Sequence, residues 1–351
     1  MKESGISVII IAYNRKEFLA DAIKSALHQT LERFPFEIVV VSNFYVDVSG
    51  FDPNCKIRTV LMDGTMGEFL FTGLNTAKYD IVAFLDDDDT FDPGKLTRLM
   101  EIFSSNRELC YYHNDTKYVD HAGHTIDYVR LVEKRSRSIN NKNLIFVAKS
   151  NLHAIKVALD YRGDFNLSSI AIRRDCYLKY LPLLRQIKSN PDGFFFWTGI
   201  ISMGQLMIDN KKLTNYRVHE MNVSGQVNFI SKAQELQKQI YTYDLLLYLL
   251  EERSDSIEIT ESLKRWVFLY KYEYELMSVI ISKSPRAIMF KQIKKLFSLN
   301  MKYSNTLKYR VLLFAIIGII SVNLAQKIYL RIRSATVQKY KVNMTVVHLP
   351  K

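Results

Sequence analysis

The feature that most constrains this chain is Phe84-Leu85-Asp86-Asp87-Asp88-Asp89, four carboxylates set directly after an apolar run. Tyr79 to Leu85 (YDIVAFL) is short, β-branched and aromatic, which predicts a buried strand. A strand ending in acids delivers them to the edge of a sheet, where α/β proteins bind ligands. Four adjacent like charges repel, so a cation is expected among them, and hard oxygen ligands suit Mg²⁺ or Mn²⁺ carrying a phosphate. The alternative is a solvated acidic turn opening a helix at Asp92-Pro93, where acids favour the N-terminal dipole.

The preceding segments build a frame for these acids. Ser7 to Ile11 is an apolar run read as a strand rather than a signal peptide. Phe18, Leu19, Ala22, Ile23, Ala26 and Leu27 follow at the spacing of an amphipathic helix, and Glu37 to Val41 predicts a second strand. Strand, helix and strand in succession make a βαβ unit with a right-handed crossover. A further helix, Gly67 to Ala77, then leads into the acidic strand. No glycine-rich phosphate loop precedes the first helix, which argues against ATPase and dehydrogenase chemistry.

SVIIIAYNRKEFLADAIKSALHQT, EIVVVSN, AKYDIVAFLDDDDTFDPGKL and a block from Asp192 through TNYRVHEMNVSG to Gly225 together resemble the family 2 glycosyltransferases of GT-A fold. The four blocks occur in the right order over about residues 5–225. The resemblance implies a Rossmann-like nucleotide-binding domain with a mixed, mainly parallel sheet. It also implies inverting transfer of a sugar from a nucleotide donor, UDP- or GDP-linked, assisted by Mg²⁺ or Mn²⁺. The nucleotide sugar would then lie against Ala12, Tyr13, Asn14, Ser42, Asn43, Gly67, Asp86, Asp87 and Arg217. Asp88 is expected to hold the metal, with Asp86 on the ribose or on the metal through water. Asp87, the middle acid, is expected to be solvated, and Asp89 to contact a sugar hydroxyl.

An inverting displacement needs a base for the acceptor's proton. The resemblance places it at Asp192, before Gly193-Phe194-Phe195-Phe196-Trp197. An Asp there could equally serve as the helix N-cap. His219, in Tyr216-Arg217-Val218-His219, is a candidate for the metal or the diphosphate, and Arg217 for phosphate. Trp197 could stack on a sugar, although helix core is the default for it and its neighbours. Three departures from the family pattern leave the base of the nucleotide open: Ile11-Ala12 before Tyr-Asn, Ser42-Asn43 in place of acids, and Leu70 near a customary arginine. His113, His121 and His124 have no metal-ligand spacing; a turn at Gly123 and a loop from Glu133 to Asn143 are expected there. Asn166-Leu167-Ser168-Ser169 resembles an acceptor-side element of the family.

Charge divides the chain. Residues 226–351 carry 20 basic and nine acidic residues, a net of +11 out of +12 overall, and no acid follows Glu275. Such a region favours an anionic partner. Val311 to Ala325 (VLLFAIIGIISVNLA) is apolar and flanked by Lys and Arg. At about 22 Å as a helix it falls short of the ~30 Å hydrocarbon core. A helix lying in the membrane interface is expected, against the alternative of a buried core helix. No nucleic-acid fold motif accompanies the basic residues, so nucleic acid is not an expected partner. Two domains are expected, a catalytic one over 1–225 and a helical, basic, membrane-associating region over 226–351. Helices are expected at Lys232–Glu252 and Glu261–Ser282. The three cysteines, Cys55, Cys110 and Cys176, suit free thiols in a reducing cytosol.

The sequence thus points to a transferase at the cytosolic face of a cell membrane, acting on a lipid-linked or polysaccharide acceptor. A GT-A domain that binds sugar nucleotide without transfer, or a membrane scaffold, are the alternatives.

Overall fold

The computed structural model describes residues 4–31, 34–52, 56–126, 144–147, 152–202, 204–219, 229–252, 257–281 and 315–328, together with Phe290, Lys294 and Leu313. The chain forms two compact units, one of residues 1–127 and 135–218, the other of 128–134 and 219–351.

In the first unit the β-branched runs become strands: β1 (Ile6–Ala12), β2 (Phe36–Ser42), β3 (Ile57–Leu61) and β4 (Ile81–Asp86). Helix α1 (Leu19–Leu27) joins β1 to β2, and α2 (Met66–Thr76) leads into β4. All four strands are parallel, in the order β3-β2-β1-β4. Strands β1, β2 and β4 are almost wholly buried, as expected for parallel strands covered on both faces. The sheet then turns antiparallel at β8 (Ile170–Arg173). It continues through β6 (Leu109–Val119) and β9 (Gln205–Arg217) to β5 (Thr90–Phe91), while β7 (Leu144–Val147) pairs with β9. The chain reverses its lateral direction between β1 and β4, so their C-terminal ends flank the switch-point crevice where such sheets take ligands.

The helices are fixed by local chemistry. Thr65 and Glu68 close a capping box on α2. α3 (Lys95–Ser105) starts after Asp92, whose carboxylate accepts from Gly94 N. α4 (Leu152–Asp160) and the short α5 (Leu181–Leu184) precede α6 (Pro191–Ile201). α6 has Pro at its first position and is capped by Asn190, whose side chain accepts from Gly193 N at 3.3 Å. Asp192 is therefore not the cap.

The expected turn at Gly123 is present, with φ of 89°, and Thr125 bridges back to Val119. His113 is buried against Phe165 O at 2.7 Å, and burial lowers its pKa to about 4. The loop expected over 133–143 lies outside the described residues. One expectation is corrected. Cys110 on β6 and Cys176, after β8, are joined as a disulfide, with Cα atoms 5.8 Å apart. The sheet brings together two residues 66 positions apart, which spacing alone did not reveal. Cys55 lies outside the described residues.

The second unit contains an antiparallel pair, α7 (Phe229–Glu251) and α8 (Ile257–Ile281). Leu236, Leu246, Leu263 and Leu276 are buried, and Tyr243 stacks with Tyr270 and Tyr274. The apolar segment is helical over 315–320 and 322–328, interrupted at Ser321, whose Oγ accepts from Leu324 N. One side of it joins the α8 core: Ala315 and Ala325 pack with Leu269, Tyr272 and Ile280. Gln326 donates to the carbonyls of Ile280 and Ile281, which end α8. Leu313, Ile316, Ile320 and Leu324 are exposed. Among the described residues no helix is long and apolar enough to cross a membrane.

Candidate active site at the switch point

The crevice between β1 and β4 gathers most of the residues singled out from the sequence. Beyond β1, Asn14 adopts a left-handed φ of 56°, a conformation asparagine tolerates. Its N–H donates to Asn43 Oδ1 at 2.9 Å, and Asn43 Nδ2 returns a bond to Asn14 Oδ1 at 2.6 Å. The ends of β1 and β2 are thereby latched together. Ser42 turns its hydroxyl to Phe44 O. Tyr13, half exposed, meets Phe69 edge-on at 5.7 Å. Ala12 is buried at the end of β1.

Across the crevice β4 ends at Asp86, and a tight turn closes with Asp89 N donating to Asp86 O at 3.2 Å. One oxygen from each of Asp86, Asp88 and Asp89 lies within 4.8 Å of the others. Burial, then repulsion from Asp88, Asp89 and Asp87, pushes the Asp86 pKa well up, while Arg15 opposes it. Burial and Asp88 raise Asp89 to about 8, against the pull of Ser168, the Arg217 N–H and Asn166. Asp89 Oδ1 accepts from Arg217 N at 2.9 Å, but its buried Oδ2 has no hydrogen-bond donor among the described residues. A crowded set of carboxylate oxygens with one left unsatisfied suits a hard divalent cation, so these residues fit Mg²⁺ or Mn²⁺.

Two arginines manage this negative charge. Arg15 donates to Asp87 through Nε and Nη2, and its Nη2 stands 2.8 Å from Asp88 Oδ2. Asp87, expected to be solvated, is instead 4 % exposed and paired. Arg217, expected on phosphate, is also buried. Its guanidinium donates to Asp88 O at 2.9 Å, to His121 O and to Asp21, and it lies over the Phe18 ring. It thus braces the Asp88–Asp89 turn. His219 follows Arg217 by two residues, is half-buried and falls in the second unit.

Asp192 sits in the first turn of α6, where Oδ2 accepts from Asn166 N at 3.0 Å. Burial, with Asp164 as the main neighbouring charge, lifts its pKa to about 6, while the Gly193 and Asn166 amides pull it down. A carboxylate held near 6 suits a general base at neutral pH.

Asn166 and Ser168 belong to the segment whose sequence resembles an acceptor-side element, and they join the two sets of acids. Asn166, with φ of 66°, gives its N–H to Asp192, while its side chain accepts from Ser168 N and bears on Asp89. Ser168 Oγ accepts from Asp86 N at 2.9 Å, and Ser168 O accepts from Lys95 Nζ. One short turn therefore ties the acids of β4 to Asp192 of α6. Lys95 is wholly buried and also donates to Thr214 Oγ1 at 3.0 Å. Burial drives its pKa well down, with Asp89 opposing. No sequence signal marks such a lysine; its helix position reads as surface.

Two candidates play packing roles. Trp197 is wholly buried and meets Phe196 edge-on at 5.5 Å, because a nearly all-apolar helix buries every face. It presents no open face to a sugar. Gly67 donates to Ile187 O at 3.1 Å, and a Cβ there would collide with Leu184 O and lie 2.7 Å from Ile187 O. That glycine is set by close approach of the backbone after α5.

Residues 7–50 and 63–153 match the family model for glycosyl transferase family 2. Over these segments the chain is similar to the family 2 glycosyltransferases. It is 29 % identical over 120 residues to the uncharacterized glycosyltransferase YwdF of Bacillus subtilis, covering 32 % of this chain and 42 % of that one. It is 30 % identical over 106 residues to the succinoglycan biosynthesis protein ExoO of Rhizobium meliloti, covering 28 % and 30 %. The match thus spans well under half the length of these relatives. The likeness in fold extends further than the sequence match. Crystal structures of S. aureus TarS 1–349 cover 90 % of this chain, at 12 % identity and a TM-score of 0.56 for the complex with UDP and at 13 % identity and 0.50 for that with UDP-GlcNAc. The TarS chains are covered to 90 % and 91 %. At that identity the likeness is one of GT-A fold.

Proposed function

We propose that the chain transfers a sugar from a nucleoside diphosphate donor to a hydroxyl or phosphate of a lipid-linked or polysaccharide acceptor, with inversion. The observation that carries this reading is the Asn166–Ser169 turn, which holds a poised carboxylate, Asp192, in fixed relation to the acids at the end of β4. Asp192 takes the acceptor's proton as its oxygen attacks the anomeric carbon, and the nucleoside diphosphate leaves from the opposite face. Asp88, with Asp86 and Asp89, would hold Mg²⁺ or Mn²⁺. When bound, such an ion supplies Lewis-acid stabilisation to the departing diphosphate. The assignment of His219 to that ion rests on its place in the sequence alone.

The Asn14–Asn43 latch beside exposed Tyr13 supplies amide groups and a ring face for a base. TarS has been crystallised with UDP and with UDP-GlcNAc, which favours a uridine donor. ExoO is named for succinoglycan biosynthesis, which favours a glycan acceptor. Association with an anionic membrane surface is supported by the +11 charge of residues 226–351 and by the exposed Leu313, Ile316, Ile320 and Leu324.

Calorimetry of UDP and GDP with Mn²⁺, on the wild type and on Asp88→Ala, tests the donor site. Binding of one nucleotide, lost in the variant, is expected. Metal-independent binding unchanged by Asp88→Ala would overturn the assignment.

A further inference from the structure

Arg15 spans the crevice between β1 and β4. It lies three residues beyond the end of β1, and Asp87 and Asp88 lie just beyond the end of β4, so the ion pairs span the switch point itself. The side chains of all three are largely buried, at 17 %, 5 % and 11 % exposure. Asp87 Oδ1 takes both Nε and Nη2 of the guanidinium, and Nη2 also stands 2.8 Å from Asp88 Oδ2. Asp88 is also one of the three acids whose oxygens converge, and Asp87 is not.

A guanidinium and a divalent cation compete for one carboxylate oxygen, and at a few ångströms they repel each other. A diphosphate reverses that relation, since its oxygens accept from the planar fork of arginine while also bearing on a cation. We propose that Arg15 is a switching guanidinium of the donor site. It neutralises Asp88 when the crevice is empty, yields that carboxylate to a divalent cation, and turns Nη2 onto the donor's diphosphate while Asp87 keeps hold of Nε. Asp87 thereby acquires a function that its middle position among the acids does not suggest: it anchors the pivot. This inference rests on the donor-site reading above.

The switch makes two predictions of opposite sign. In Arg15→Ala, Mn²⁺ alone should bind about tenfold tighter, because an internal competitor is gone. UDP measured at saturating Mn²⁺ should bind at least about tenfold weaker, because a phosphate donor is gone. Arg15→Lys keeps the charge but loses the bidentate hold of Asp87. Its Mn²⁺ affinity should stay within about threefold of wild type while UDP is weakened as in the alanine variant. Calorimetry of Mn²⁺ alone, then of UDP with Mn²⁺, on the three proteins reads both quantities, and the lysine variant covers any failure of the alanine variant to fold. If both variants bind Mn²⁺ and UDP as the wild type does, Arg15 is a structural ion pair and the proposal falls. It falls equally if Arg15→Ala weakens both ligands, since Arg15 then merely organises the turn. If the wild type binds neither Mn²⁺ nor a uridine or guanosine diphosphate, the donor-site reading itself fails, and the switch with it.

Discussion

Replacing Asp192 by Asn separates catalysis from stability, because the two should move in opposite directions. Burial and Asp164 raise this carboxyl from an ordinary 3.8 to about 6. The folded chain then holds the proton more tightly than the unfolded chain, so stability declines as pH rises between those values. The cost is fully present above about 6. Linkage gives a penalty of about 2 kcal/mol at pH 5 and about 3 kcal/mol at pH 8. Asparagine keeps an oxygen for Asn166 N but carries no charge, so it escapes this penalty. The advantage of the variant over wild type should therefore be larger at pH 8 than at pH 5 by about 1 kcal/mol, some 2–4 °C in Tm for a domain of this size. Taking the difference between two pH values cancels any constant effect of the amide on packing. Turnover of the nucleotide sugar should fall by about 10²–10⁴, the usual worth of a general base. In wild type kcat/KM should climb as pH rises through about 6. Thermal melts at both pH values, with a glycosyl-transfer assay, decide the matter. A variant no more favoured at pH 8 than at pH 5, or one retaining activity within tenfold, would refute the argument.

Other consequences are as direct. Gly67→Ala should destabilise the first unit by about 1–3 kcal/mol, read by denaturant titration, because its Cβ must push against the Leu184 and Ile187 carbonyls. Lys95→Met should cost about 1–3 kcal/mol in the same assay, since Ser168 O and Thr214 Oγ1 lose a buried donor. Alkylation under denaturing, non-reducing conditions should label one thiol of the three, Cys55, until a reductant opens Cys110–Cys176. Three labelled thiols before reduction would show that the pair is not bonded.

Strands β1, β2 and β4 and the edge at which the acids emerge were legible in the sequence. The cause is local: β-branched runs such as IVVV and IVAFL can only be satisfied as buried strands, and the acids after them must then leave at the C-terminal end. β3 was not legible. Its five residues, IRTVL, lie at the open edge of the sheet, all of them intermediate or exposed, and Arg58-Thr59 splits the apolar ones, so no apolar run announces it. Asp192 was visible through its neighbours, but its cap role passed to Asn190, because a left-handed backbone there lets the asparagine side chain reach Gly193 N. The working parts of the site stayed hidden for one reason. Arg15 meets Asp87 across 72 positions, Lys95 meets Thr214 across 119, and Arg217 meets Asp88 across 129. Periodicity and propensity report what a residue does with its near neighbours, whereas these contacts exist only after β1, β4, β8 and β9 have aligned. The sequence by itself determined which residues could be charged, buried or strand-forming. Tertiary structure decided which charges meet, because the energy of a buried ion pair depends on a few ångströms that no local pattern encodes.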